Sequence, residues 1–212
     1  KDIENFAIEL MRERDVKPAF LGLYGFPGAM CISVNEELLH GIPRSDKIIR
    51  EQDLVSIDFG LKRGGWYSDM TRSFCVGTPG ELADRLLDVG QAALQVALRV
   101  VKPGVTTGDI GHAVQSFVES NGFCVVRKFV GHGVGREPHE EPEIPNFGKS
   151  GHGPMLKPGM TLAIEPMITV DDPDVEVLSD GWTVVSADRK LCVHFEDTIV
   201  VTDDGYEILT AK

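Results

Sequence analysis

The sequence predicts an α+β fold: helices covering one face of an antiparallel sheet, assembled from two related halves. Three observations carry this. Helical periodicity and strand-like runs come in blocks rather than in strict alternation. Several blocks recur in order at a fixed spacing along the chain. No low-complexity linker interrupts the 212 residues, so the halves, roughly 1–77 and 78–212, read as a single domain spanning 1–212.

Residues 2–11 place Ile3, Phe6, Ala7, Leu10 and Met11 on the i, i+3, i+4, i+7, i+8 stripe of an amphipathic helix. Strand-like runs follow at 29–35, 54–60 and 66–76, with Gly64-Gly65 as a turn. Thr78-Pro79-Gly80-Glu81 reads as a helix start, with Thr78 as cap, Pro79 in the first turn and Glu81 completing a capping box. A long helix then carries Leu82, Leu86, Val89, Ala93, Val96, Ala97 and Val100, until Lys102-Pro103-Gly104 stops it. Residues 109–118 repeat the first stripe at Ile110, Ala113, Val114, Phe117 and Val118. The remainder alternates strand and turn, with runs at 123–130, 161–170, 182–187 and 191–202.

The repeat is specific. Asp2-Ile3 recurs as Asp109-Ile110, an offset of 107. The same offset relates the apolar runs 53–58 and 160–165, which end in Asp58 and Glu165. Asp69-Met70-Thr71 recurs as Glu196-Asp197-Thr198 at an offset of 127, so 20 extra residues fall between the second pair of acids, around Asp171–Asp180. Lys1 aligns with Gly108, so the long helix starting near Glu81 has no counterpart in the first half. Two expectations follow: an upstream segment is absent, or the first half was pared down.

The formal net charge is −12, with 33 acids against 21 Lys and Arg. Such a surface repels phosphate backbones and argues against direct nucleic-acid binding. No apolar run is long enough to span a membrane, and KDIENFAIEL is too charged for a signal peptide. Cys31, Cys75, Cys124 and Cys192 are widely spaced without a CxxC, as expected of reduced thiols in a cytoplasmic protein.

The duplicated acids Asp58, Asp69, Glu165 and Glu196 each lie in an apolar or strand-like context. If the halves face each other across a pseudo-twofold, these carboxylates converge near its axis. Four converging buried carboxylates cannot all ionise without cations, and two divalent ions would neutralise them. His132, in the glycine-rich Gly131–Gly135 after an apolar run, supplies an imidazole at a strand end. Imidazole with carboxylates suits Mn, Fe, Co or Zn better than Ca or Mg.

Asn35–Pro43 (NEELLHGIP), Gly131–Pro142 (GHGVGREPHEEP), Ile164–Met167 (IEPM), Asp180–Thr183 (DGWT) and His194–Thr202 (HFEDTIVVT) together resemble the type I methionine aminopeptidases. The motifs keep that family's order and cover nearly the whole chain. The resemblance implies a pita-bread fold with one catalytic domain. It also implies that Asp58 chelates one metal, His132 and Glu165 the other, and that Asp69 and Glu196 bridge them. A metal-activated water would attack the scissile carbonyl, with Glu165 as proton shuttle. His139 would bind the substrate carbonyl and His40 the substrate amide. Phe26, Cys31 and Trp182, with His40 nearby, would line the methionine pocket. The implied partners are the N-termini of peptides and nascent chains, with a transient ribosome contact, and the implied state is a monomer. Two positions depart from the family: Leu23 replaces a common tyrosine, and Pro138 replaces the aromatic that commonly precedes His139. The 26 positions from His139 to Glu165 leave no room for the insertion of type II enzymes.

Other features read more plainly. His112 falls on the polar side of its helix and His152 in a glycine-rich loop, while His194, just before a ligand strand, has two readings: an ordinary strand position, which is favoured, or a place behind the ligands. Glu140, Glu141 and Glu143 read as a solvated acidic stretch, and HEEPE is not a zincin HExxH. Two alternatives stay open: an Xaa-Pro aminopeptidase or prolidase of the same fold, and a non-catalytic pita-bread binding protein.

Overall fold

The apolar runs pair into an eight-stranded antiparallel sheet, seen in a computed structural model describing residues 1–211. Its strands are β1 (Cys31–Val34), β2 (Leu54–Asp58), β3 (Met70–Cys75), β4 (Gly131–Gly133), β5 (Glu140–Ile144) and β6 (Thr161–Ile164). After β7 (Met167–Thr169) and β8 (Cys192–His194), which belong to a smaller sheet, come β9 (Glu196–Val201) and β10 (Tyr206–Ile208). The main order is β5-β4-β6-β9-β3-β2-β1, with β10 pairing to β9.

This order is nearly palindromic. At its centre β9 meets β3, with Glu196 opposite Thr71 and Asp197 opposite Met70. The repeated strands β6 and β2 flank that seam on either side, with β4 and β1 beyond them. The spacing of the repeated motifs thus becomes a spatial relation between strands.

Three expected strands are each broken in two. The run 66–76 divides at Asp69, 161–170 at Glu165-Pro166, and 191–202 at Phe195. Apolar patterning continues through these points, so it does not reveal the breaks. Hydrogen bonding explains them. The Asp69 N–H donates to Thr198 Oγ1 at 2.8 Å, and Pro166 has no N–H to continue a ladder. The run 123–130 forms only the short strand Cys124–Val125.

Helices α2 (Glu81–Val100) and α3 (Thr107–Ser120) bury Leu86, Leu94, Leu98, Ile110, Val114 and Val118 against sheet residues that include Leu162 and Ile199. The start of α2 corrects an expectation: Gly80 is the cap, without a side-chain hydrogen bond, and Thr78 lies outside the helix. Its buried face also includes Ala83 and Gly90, while Leu82 is 44% exposed. In α3 the Thr106 hydroxyl and Asp109 carboxylate form a full capping box. Helix α1 (Asp2–Glu13) buries Ala7 and Met11 against Met30, Ile32 and Val55. Its Phe6, placed by periodicity on the buried stripe, is 62% exposed beside an open apolar groove of about 690 Å³. Among the described residues no second helix covers α1 as α2 covers α3. No helix is long and apolar enough to cross a membrane.

Candidate metal centre

The sheet delivers five donor residues to one place. Asp58 ends β2, opposite Cys31 of β1 and Thr71 of β3. Asp69 occupies the break before β3, Glu196 opens β9, and Glu165 follows β6. His132 is the middle residue of β4, opposite Ala163 of β6. All five line a cavity of about 280 Å³, and so do Phe26, Cys31, His40, His139 and Trp182. Every site residue singled out in the sequence therefore faces the same space.

Donor atoms of Asp69, His132 and Glu196 lie within 4.8 Å of one another. His132 Nε2 is 3.5 Å from Glu165 Oε1. Its Nδ1 lies 2.8 Å from the Gly133 carbonyl, a contact that assigns the proton to Nδ1 and leaves Nε2 as a free donor of electrons. Glycines on both sides allow this strand to approach its neighbours. A Cβ at Gly131 would come within 2.5 Å of the Ala163 carbonyl oxygen, and one at Gly133 within 2.3 Å of the Glu141 carbonyl oxygen.

The electrostatics are those of a site built for cations. Burial pushes the Asp69 carboxyl well above its ordinary 3.8, and repulsion from Glu196, Asp58 and Glu165 adds to it. Glu165 and Glu196 are likewise raised above 4.5, first by burial and then by neighbouring carboxylates. Burial also raises Asp58, against the opposing effect of His194. Asp58 Oδ1 is buried without a hydrogen-bond partner. Burial pushes His132 down to about 4, keeping the imidazole neutral. Crowded carboxylates, a neutral imidazole and an orphaned oxygen fit a divalent metal ion.

On the opposite wall, the Phe26 ring meets Trp182 edge-on at 5.2 Å, and His40 lies 6.5 Å from Trp182 and 6.0 Å from Phe129. His40 holds φ +56°, a left-handed conformation that costs a non-glycine residue roughly 1–3 kcal/mol. Burial keeps its ring neutral, with a pKa lowered to about 4. His139 packs edge-on against His132 at 4.5 Å, and the exposed Tyr24 ring stacks on its other side at 5.9 Å. Leu23 lines the cavity, while the buried Pro138 does not.

For His194 the structure takes the less favoured of its two readings. It is not an ordinary strand residue: it is 3% exposed, lines the cavity and places Nε2 3.1 Å from Glu165 Oε2. The signal was its position two residues before Glu196, since alternate residues of extended chain share a face. Tyr24 at the mouth carried no such signal.

Residues 1–203 match metallopeptidase family M24. The chain belongs to that family. Its curated relatives include methionine aminopeptidase 1 of Bacillus subtilis, 44% identical over 99% of this chain and 84% of that protein. The crystal structure of methionine aminopeptidase from Thermotoga maritima superposes with a TM-score of 0.98 at 47% identity, covering all of this chain and 85% of that one. Prolidase from Pyrococcus furiosus is more distant: TM-score 0.71 and 30% identity, over 86% of this chain and 49% of the prolidase. The M24 fold accounts for the curled sheet with helices on its outer face, the pita-bread architecture expected from the motifs. Membership of a metallopeptidase family agrees with a donor set that requires a divalent metal.

Proposed function

We propose that the chain is a metal-dependent aminopeptidase that removes N-terminal methionine from peptides and nascent proteins. One observation carries this reading: the duplicated carboxylates and His132 meet in the same cavity as an aromatic pocket, in a fold and sequence similar to those of methionine aminopeptidases. Asp58, Asp69, His132, Glu165 and Glu196 would hold two divalent ions of the Mn, Fe, Co or Zn type, with Asp69 and Glu196 shared. When bound, the metal supplies positive charge that balances the cluster, polarises the scissile carbonyl and makes water nucleophilic near neutral pH.

The remaining steps belong to side chains. Glu165, whose carboxyl is raised by burial, accepts the proton of the attacking water and returns it to the leaving amine. His139, at the mouth beside His132, donates to the carbonyl oxygen as negative charge develops on it. His40 contacts the amide next to the scissile bond. Phe26, Cys31 and Trp182 enclose the unbranched thioether, and Leu23 widens that wall relative to a tyrosine. A substrate amine seated beside the donor cluster would make the enzyme an exopeptidase, and it would act as a monomer.

The test is methionine release from Met-Ala-Ser by chelated protein before and after addition of Mn(II), Co(II) or Fe(II), with an Xaa-Pro peptide run in parallel. Metal-dependent methionine release without Xaa-Pro cleavage is the expected result. Cleavage of Xaa-Pro alone would move the chain to the proline-directed branch, and silence on both with metal bound would favour a binding protein.

A further inference from the structure

His194 is buried in the cavity, yet the chemistry above gives it no task. Its backbone is pinned from two other strands. The His194 N–H donates to Ser73 Oγ at 3.1 Å, the Ser73 hydroxyl donates to the His194 carbonyl at 2.8 Å, and Ser73 Oγ lies 2.6 Å from Ser56 Oγ. The ring is therefore carried on a fixed support.

Glu165 divides its oxygens between two histidines. Oε1 lies 3.5 Å from His132 Nε2, and Oε2 lies 3.1 Å from His194 Nε2. The second contact is too oblique for an aligned hydrogen bond, and neither His194 nitrogen has another partner among the described residues. A carboxylate only accepts, so the face turned to it is the Nε2–H of the ring.

Three of the other donors have a visible support, and Asp58 is fixed at the end of β2. Glu196 Oε2 accepts from Thr71, His132 Nδ1 contacts the Gly133 carbonyl, and Thr198 holds the Asp69 backbone through both its N–H and its carbonyl. Glu165 sits in a strand break just before Pro166, and among the described residues no hydrogen bond holds its carboxylate. We propose that His194 is the positioning residue for Glu165: its Nε2 reserves Oε2, so that Oε1 stays turned toward His132 and the metal. Orientation of ligands by groups behind them commonly sets metal affinity. The inference rests on the metallopeptidase reading of the site.

The experiment compares native protein with H194L and H194Q, all chelated and then titrated with Mn(II) by calorimetry. Thermal melts of the chelated proteins and kcat and KM on Met-Ala-Ser complete the set. H194L should bind Mn(II) roughly 10- to 100-fold more weakly at unchanged stoichiometry, with kcat reduced more than KM is raised. H194Q, whose amide nitrogen can occupy the place of Nε2, should recover most of the affinity and turnover. Native affinity in a folded H194L would overturn the proposal. So would loss of a whole metal equivalent, which would make His194 a ligand, or an H194Q as impaired as H194L. If H194L does not melt cooperatively, H194Q decides alone, since weak binding by that variant contradicts the role. Native protein that binds no Mn(II) would overturn the metallopeptidase reading itself, a failure visible before any variant is compared.

Discussion

Thr71 Oγ1 donates to Glu196 Oε2 at 2.8 Å across the seam between the two halves of the sheet. The reciprocal residue Thr198 holds the backbone of Asp69 instead, accepting from its N–H and donating to its carbonyl, each at 2.8 Å. Asp69 and Glu196 are thus each held by the threonine of the opposite repeat. The motifs DMT and EDT are tied to each other across the β3–β9 pair.

Replacing Thr71 by Val keeps the shape of a fully buried side chain and removes its hydroxyl. The variant should bind Mn(II) about 10- to 100-fold more weakly, while T71S should stay close to native. Calorimetric titration of chelated protein checks this; equal affinity in T71V would remove Thr71 from the site.

His139 stands at the mouth and is not among the five proposed ligands. H139A should lower kcat by roughly 10²- to 10³-fold with metal content unchanged. Turnover and metal analysis on one preparation separate the roles, because parallel loss of both would make His139 a ligand or a structural residue.

Glu196 is raised by burial and by Glu165 and Asp58, so its charge is a burden without metal. Chelated E196Q should melt no lower than chelated native protein. Saturating Mn(II) at 100 times Kd should stabilise native protein by about 2.7 kcal/mol, or roughly 5–11 °C, and E196Q far less. An unchanged metal-dependent shift in E196Q would defeat its role as a shared ligand.

The pH dependence follows from the same shifts. Asp69, Glu165 and Glu196 are raised in the folded protein, so folding binds protons that the unfolded chain has lost. Their contribution to stability in metal-free protein is undiminished below about pH 4 and falls as pH rises through the raised folded values. His132, lowered to about 4, acts oppositely and gains stability for the fold between about pH 4 and 6.5. Mn(II) must displace carboxyl protons, so binding should release protons and tighten as pH rises through the raised values. Calorimetry in buffers of different ionisation enthalpy measures that release; enthalpies independent of buffer would contradict it.

Much of this was legible in the sequence for physical reasons. Asp58 and Glu165 end apolar runs at matching positions, and a repeated strand has to bring its end to an equivalent place. Phe26, Cys31, His40 and Trp182 were accessible only through motif resemblance, since no periodicity distinguishes a pocket wall from a core. The strand breaks at Asp69, Glu165 and Phe195 were hidden because apolarity runs through them. Phe6 was misplaced because periodicity defines a helix face and not what covers it. The sequence alone supports two readings of His194 because its place two residues before Glu196 shares that face only if the chain stays extended through Phe195.

The most direct measurement follows Mn(II) added to chelated protein by electron paramagnetic resonance, with methionine release from Met-Ala-Ser assayed on the same samples. The proposed function predicts two ions per chain, magnetically coupled through shared carboxylates, with activity that appears on loading and is lost again with chelator. Activity that persists in metal-free protein, or Mn(II) that does not bind at this cluster, would contradict it.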